Sequence, residues 1–430
     1  MRITKDYECL ITDSLKRNIL LWAQQYEDIV WLDSNNYKQE HQTYKAILAV
    51  DGFTSIKTDF QNAFRDLKEY QSQTRDWLFG YLTYDLKNDV ERLESKNFDG
   101  LDFADLYFFQ PKKVFLFTES QVSIRYLNMV DDELEGDWDE IVNYEDKSEK
   151  LSPEAVKISL RTSKDSYFDK VARMLQYIHR GDIYEANFCQ EFFSEGIPID
   201  PLETFMHLNK ISSPPFATFL KTDKHYVLSA SPERYLKKNG KTVISQPIKG
   251  TAKRLDDKKE DQKLIDVLEN DPKERSENIM ITDLVRNDLS RFAEKGSVVV
   301  EELCKIYTFE QVHQMISTIS CTVANEIHPV DIIHNTFPMG SMTGAPKISA
   351  MKIIEELEDA KRGVYSGAIG YFDPNGDFDF NVVIRSILYN SENQYVSYSV
   401  GGAITAKSIP EKEYEECLIK AKAMREVLER

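Results

Sequence analysis

Apolar positions along the chain follow two periods, and the switches between them mark out its elements. Residues 14–25 carry Leu15, Ile19, Leu20 and Trp22 at helical spacing, which predicts an amphipathic helix. Short apolar runs at 29–32, 45–50, 77–85 and 114–117 predict strands. A second helix is expected over 165–180, with Phe168, Val171, Leu175 and Ile178 on one face and Gly181 as its stop. Directly after it, Tyr184, Ala186 and Phe188 fall on one side of a strand and Glu185, Asn187 and Cys189 on the other. Such a polar face either lines a cavity or meets solvent. Further strands are expected at 217–220, 226–231 and 241–245.

The later half is punctuated more strongly. Asp271 is a cap, Pro272 suits a first helical position and Glu274 comes three residues after the cap, so a helix starts there and runs on through Glu277 and Ile281. Residues 337–347 set small side chains, Thr343 and Gly344 among them, ahead of a helix through Met351, Ile354 and Leu357. With Pro346 in its first turn, that helix start offers free N–H groups and a positive dipole end to an anion. It lacks the spacing of a phosphate loop, so a carboxylate serves as well as a phosphate. Residues 367–372 and 380–388, the second run carrying Arg385, read as a hairpin about Asp373-Pro374-Asn375-Gly376. Pro410 opens a closing helix with Glu413, Glu416 and Lys420 on one face, leaving Leu418, Ala421 and Leu428 to pack elsewhere. Between the halves, residues 131–150 are acidic and read as a mobile connection or solvated face.

Charge narrows the classes. A net charge of −18 over 430 residues argues against a general binder of nucleic acid or anionic membrane, so an anionic substrate must meet a locally basic site. Five cysteines, scattered and without a CxxC pair, suggest neither a disulfide framework nor a zinc site, and a reducing cytoplasm fits them. Residues 1–6 carry no apolar signal core, and no run approaches the ~18 apolar residues that span a membrane.

Two features carry candidate chemistry. Lys249 follows the strand at 241–245 between Pro247 and Gly250, which predicts a lysine on a rigid turn, either an ordinary surface residue or a partly desolvated nucleophile. Glu274 and Glu277 share a helix face and could hold a hard cation, although neighbouring surface glutamates are common.

Taken together, Gly181-Asp182-Ile183-Tyr184, Ser231-Pro232-Glu233-Arg234, Pro247-Ile248-Lys249-Gly250-Thr251, Asp283-Leu284-Val285-Arg286-Asn287-Asp288-Leu289, the run 337–347, Ile384-Arg385 and the run 410–420 resemble, in order, the chorismate-utilising enzymes. The likeness covers roughly residues 160–428 and, more weakly, the motif at 80–87. It implies an α+β fold of two large antiparallel sheets packed face to face with helices outside. One domain would span 1–430, with a weaker family part at 1–130, an acidic connection at 131–150 and the catalytic part at 151–430. It also implies Mg²⁺ on Glu277 and Glu416, with Glu274 and Glu413 nearby, holding the ring carboxylate of chorismate. Arg385, Tyr365 and the backbone of Gly401 and Gly402 resemble the binders of the enolpyruvyl carboxylate. Lys420 resembles the lysine beside the ring carboxylate, and His313 the histidine near the C4 hydroxyl.

Lys249 resembles the lysine of the aminodeoxychorismate synthase branch, whose amine attacks C2 and expels the C4 hydroxyl, with Glu233 in the general-acid role, before ammonia attacks C4. That branch takes ammonia from a separate glutamine amidotransferase subunit, and this chain contains no Gly-x-Cys-x-Gly elbow of its own. The resemblance implies the pathway to 4-aminobenzoate and folate. The alternatives are anthranilate synthase component I and, from another class, a non-catalytic chorismate-binding relative. Glu185 departs from the pattern: amino-transferring relatives show glutamine there and water-adding ones lysine.

Overall fold

The strand Asp28–Asp33 shows how the layers arise. Its Val30 enters one apolar cluster and its Ile29 and Trp31 another, because successive strand residues face opposite ways. Ala46–Thr58 divides in the same manner, Ile47 and Ala49 against Ala46, Leu48 and Val50. The sheet is therefore buried on both faces, by a second sheet on one side and by helices on the other. The computed structural model describes residues 1–37, 40–145, 155–310 and 312–430.

The first sheet runs, in hydrogen-bonded order, Arg2–Glu8, Gln121–Leu127, Leu106–Phe117, Ala46–Thr58, Asp28–Asp33, Phe216–Thr222, His225–Ser231, Ser386–Asn390, Tyr395–Thr405 and Glu185–Glu195. The second leaves Leu106–Phe117 on its other edge and runs Leu78–Leu82, Ala368–Phe372, Phe378–Val382, Arg234–Asn239, Thr242–Gln246 and Val312–Thr322, which also carries Val299–Thr308 and Ile248–Lys253. The ribbon of Ala46–Thr58 and Leu106–Phe117 belongs to both, and its register shift between Gly52 and Thr54 marks the corner. Helices Asp13–Ala23, Lys164–Arg180, Pro201–Ser212 and Pro410–Leu428 contribute their apolar faces to the outer cluster. The two antiparallel sheets with helices outside make the expected α+β fold, and strands from both halves of the chain alternate within them.

Four expectations change. Residues 131–142 form no loose connection: a short turn leads into the helix Leu134–Val142, which buries Leu134, Trp138 and Ile141, an apolar stripe hidden among acidic neighbours. Residues 146–150 of that predicted segment lie outside the described residues. The strand expected over 380–388 is two strands, Phe378–Val382 in the second sheet and Ser386–Asn390 in the first. Between them Arg385 takes a left-handed backbone, φ 51°, where the chain steps from one sheet to the other. The strand expected over 77–85 ends at Leu82 and turns through Tyr84–Leu86. Leu418 stays exposed on the closing helix, whose packing falls to Tyr414, Cys417, Ala421, Met424 and Leu428.

Candidate active site

Lys249 is a strand residue, not a turn residue. Pro247 interrupts the ladder, and pairing then resumes in Ile248–Lys253 along the same neighbour, Val312–Thr322. From Ile248 to Thr251 the lysine strand advances three residues while its partner advances two, from Ile316 to Gln314. This is a bulge, and Gly250 supplies its left-handed backbone at φ 90°. Bulges re-aim side chains, and here the side chain is Lys249, half-buried and with no hydrogen bond or ion pair to any described residue. Burial alone would lower its pKa. The charges of Glu185, Glu277, Glu233 and Glu416 outweigh burial and hold the ammonium above its usual range.

Those carboxylates differ in kind. Glu233 is 5% exposed, and burial raises its pKa to about 7 against the hydroxyl of Ser341, the charge of Lys249 and the N–H of Ile248. It is therefore partly protonated at neutral pH. Burial also raises Glu185, which Lys249 pulls partly back. Glu185 begins the strand Glu185–Glu195, is buried, and leaves its Oε2 without a hydrogen-bond partner among the described residues.

Glu274 and Glu277 come from the helix Pro272–Ser290, whose cap Asp271 accepts from the N–H groups of Lys273 and Glu274 as predicted. Glu413 and Glu416 come from Pro410–Leu428. A Cβ on Gly402 would stand 3.5 Å from Glu416 Oε1 and 3.6 Å from Glu413 Oε2, and one on Gly250 3.1 Å from Glu274 Oε2. The carboxylates thus converge on these two glycines, at Gly402 in ordinary contact and at Gly250 so closely that a side chain would crowd Glu274. Lys273 Nζ lies 3.8 Å from Glu277 Oε1 and 3.7 Å from Glu413 Oε1, a cation between the two helices. Its spacing of four from Glu277 was the only sign of that role in the sequence. Glu277 Oε1 has no hydrogen-bond partner among the described residues, and burial raises its pKa to about 7. Among the described residues no three His, Cys, Asp or Glu side chains stand close enough to hold an ion by themselves. Two carboxylates with water and a substrate oxygen remain the coordination that Mg²⁺ favours, and the buried, unpartnered oxygen of Glu277 suits it.

Two further cations belong to the predicted site. Arg385 is half-buried, pairs with no described carboxylate, and has its pKa lowered by burial alone. Lys420 Nζ donates to Gly401 O at 2.9 Å and sits 2.7 Å from Glu416. Gly401 pairs with Cys189, and a Cβ there would meet Phe188 O at 2.4 Å. Tyr365 is buried with its hydroxyl 3.6 Å from Cys189 Sγ. Gly344 pairs with Ala186, and a Cβ on it would stand 2.3 Å from Glu185 O. The run ending in Lys347 therefore packs flat against the strand that bears Glu185.

Two predicted contacts are redirected. The hydroxyl of Thr343 donates to Gly340 O at 3.1 Å and to Met339 O at 3.3 Å, so it closes its own turn. His313 is fully buried, with Nε2 2.9 Å from Asp261 Oδ1 and Nδ1 2.9 Å from Thr308 Oγ1. Both ring nitrogens are engaged on the face of Val312–Thr322 turned toward the helix Lys258–Asn270. The next residue, Gln314, faces the other way.

A family model described as chorismate binding enzyme matches residues 26–426. This chain belongs to the chorismate-binding enzymes. Family relatives include aminodeoxychorismate synthase component 1 of Bacillus subtilis (strain 168), 32% identical over 390 residues, 88% of this chain and 80% of that protein. The protein of that name from Escherichia coli (strain K12) is 38% identical over 268 residues, 62% of this chain but only 58% of its own length. Among solved structures, anthranilate synthase component I from Streptococcus pneumoniae TIGR4 superposes with a TM-score of 0.78 at 25% identity, covering 91% of this chain and 95% of that one. Membership accounts for the ordered motifs and for the two-sheet fold. It leaves open which chorismate reaction the cleft performs.

Proposed function

We propose that this chain converts chorismate and ammonia into 4-amino-4-deoxychorismate, with ammonia supplied by a separate glutamine amidotransferase subunit. The observation that carries the reading is Lys249, aimed by its bulge into four carboxylates of which one, Glu233, is half-protonated near pH 7. A lysine amine that sheds its proton attacks C2 of chorismate. The N–C2 bond forms, the ring double bonds shift, and the C4–O bond breaks. The oxygen keeps the electron pair, takes the proton of Glu233 and leaves as water. Ammonia then attacks C4, the double bonds shift back and Lys249 departs. Arg385 and Lys420 supply the positive charge that a dianion needs on a protein of charge −18.

Glu277 and Glu416 would hold Mg²⁺, with Glu274 and Glu413 beside them. When bound, the ion neutralises carboxylates that would otherwise repel the ring carboxylate of the substrate. Lys273 supports this assignment, since its ammonium already lies between the two helices that bear the ligands.

Purified protein incubated with chorismate, Mg²⁺ and ammonium, then treated with aminodeoxychorismate lyase, is expected to give 4-aminobenzoate. Anthranilate as the direct product would move the chain to anthranilate synthesis, and no product at all would favour a binding protein. Full activity in excess chelator would remove the metal from the scheme.

A further inference from the structure

Of the seven histidines His313 alone is buried, and among the described residues it alone pairs with a carboxylate. Its Nε2 lies 2.9 Å from Asp261 Oδ1, an oxygen that also accepts from the N–H of Leu255 at 2.8 Å. Asp261 stands in the first turn of the helix Lys258–Asn270, whose 13 residues bury only Asp261 and Leu268. These two are about two turns apart and so share a face. A helix with so little apolar burial needs other anchors to keep its place, and the pair with His313 is one.

What the helix covers is the strand of Lys249. Among the described residues Ile248–Lys253 pairs only with Val312–Thr322, and the bulge between Ile248 and Thr251 interrupts even that ladder. A bulged strand with one unpaired edge opens easily unless something covers it. Ala252 pairs with His313 and packs with Leu268, Cys304 and Met315. A Cβ on Gly250 would stand 3.2 Å from Leu268 Cδ1. The helix therefore meets the bulge through Leu268, and Asp261 ties it to the one strand that pairs with the lysine strand.

We propose that Asp261 and His313 are positioning residues for Lys249: their hydrogen bond clamps the helix Lys258–Asn270 onto the bulge, and the bulge aims the amine. The proposal rests on the reaction assigned to Lys249 above, and it places the work of His313 on the nucleophile's strand, away from the substrate. His313 fixes Asp261, the helix carries the constraint two turns on, and Leu268 closes on Gly250. The next helix is anchored independently, by Asn278 Nδ2 donating to Met315 O at 3.2 Å and by its buried Ile281, Val285 and Leu289. Opening the clamp thus spares Glu277, Arg385 and Lys420 and disturbs only the approach of the amine to C2. A reacting group misplaced by about 1 Å loses up to about a hundredfold in rate.

The test separates rate from affinity. In the full chain with chorismate, Mg²⁺ and no ammonia, Asp261→Ala is expected to slow adduct formation on Lys249 by about tenfold or more, while the chorismate concentration giving half the maximal rate stays within about threefold. Amide hydrogen exchange should quicken in residues 248–253 and 258–270 but not in 272–290. Asp261→Asn keeps an oxygen that accepts from His313 and should restore the rate to within about threefold. Leu268→Ala, at the other end of the clamp, should reproduce the loss with the pair intact, and it replaces Asp261→Ala should that variant fail to fold. A native rate in Asp261→Ala, a chorismate requirement that rises as far as the rate falls, or an Asp261→Asn no better than Asp261→Ala overturns the proposal. Native protein that forms no adduct overturns the reaction assigned to Lys249, and hydrogen exchange then decides the clamp by itself: faster exchange at 248–253 in Asp261→Ala upholds it and unchanged exchange there overturns it too.

Discussion

Two buried regions of this molecule hold cations, and they hold them in opposite ways. Beneath the cleft, Lys347 Nζ lies 2.5 Å from Asp288 Oδ2 and 3.0 Å from the carbonyls of Thr336 and Pro338, so each of its three protons is used. Arg362 is likewise saturated by Glu358, Met342 O and Asn187 O, with its Cζ 4.5 Å from the centre of the Tyr84 ring. In the cleft the reverse holds. Lys249 and Arg385 form no pair with any described residue, and Gln314, Glu277 Oε1 and Glu185 Oε2 have no hydrogen-bond partner among the described residues. The saturated cations build the support, and the cations of the cleft are left open to a ligand. Burial alone does not separate the two regions; the accounting of partners around their cations does.

The sharpest way to break this contrast is to exchange the roles of the two lysines. Lys249→Ala should cut formation of aminodeoxychorismate by orders of magnitude while chorismate still binds. Mass spectrometry of native protein incubated with chorismate but no ammonia should show an adduct of chorismate minus water on the Lys249 peptide, absent in the variant. An unchanged rate and no native adduct would return Lys249 to a structural role. Lys347→Met should do the opposite, leaving Asp288 buried beside only the 3.5 Å contact with Arg291. A loss of about 3–5 kcal/mol is expected, read as a lower urea midpoint, with adduct formation per folded molecule retained. A midpoint unchanged would mean that Lys347 supports nothing.

The smallest effect concerns Glu185, and here the sign can be worked out. The amine of Lys249 must be neutral to attack and Glu233 protonated to donate. Lys249 is held above its usual range and Glu233 near 7. Adduct formation should therefore climb with pH as the amine sheds its proton, then level off near pH 7, where Glu233 begins to lose the proton it must give. Glu185 is the largest of the charges that raise Lys249. Glu185→Gln should lower the pKa of Lys249 and lift the plateau a few-fold, while the inflection near 7 stays put because it belongs to Glu233. Stopped-time mass spectrometry across pH 5–9 measures both, and a lowered plateau would show that Glu185 serves the reaction by more than its charge.

Much of the fold was legible in the sequence because periodicity reports burial directly. The helix start at Asp271, the stop at Gly181 and the turn after Phe372 all stand where local signals put them. The errors share one cause. The bulge at Gly250, the break at Arg385 and the hidden face of Leu134–Val142 each depend on a partner strand or core far away in sequence. Local propensity cannot report a ladder that slips by one residue. His313 and Gln314 suffered from the same limit, since either could face the cleft until the pairing with Ile248–Lys253 was known.

The sequence by itself determined the family, through ordered motifs, and the chemistry in supply: one lysine between proline and glycine, glutamates in pairs on two helix faces, and an arginine following an apolar run. Tertiary structure decided how these groups meet. Helices Pro272–Ser290 and Pro410–Leu428 converge only because each packs against a different part of the sheets, which brings Glu277 and Glu413 to either side of Lys273. The protonation of Lys249 was beyond any sequence argument, because burial and neighbouring charge push it in opposite directions and both depend on distance. In the folded protein four converging carboxylates outweigh burial, and the ammonium is favoured.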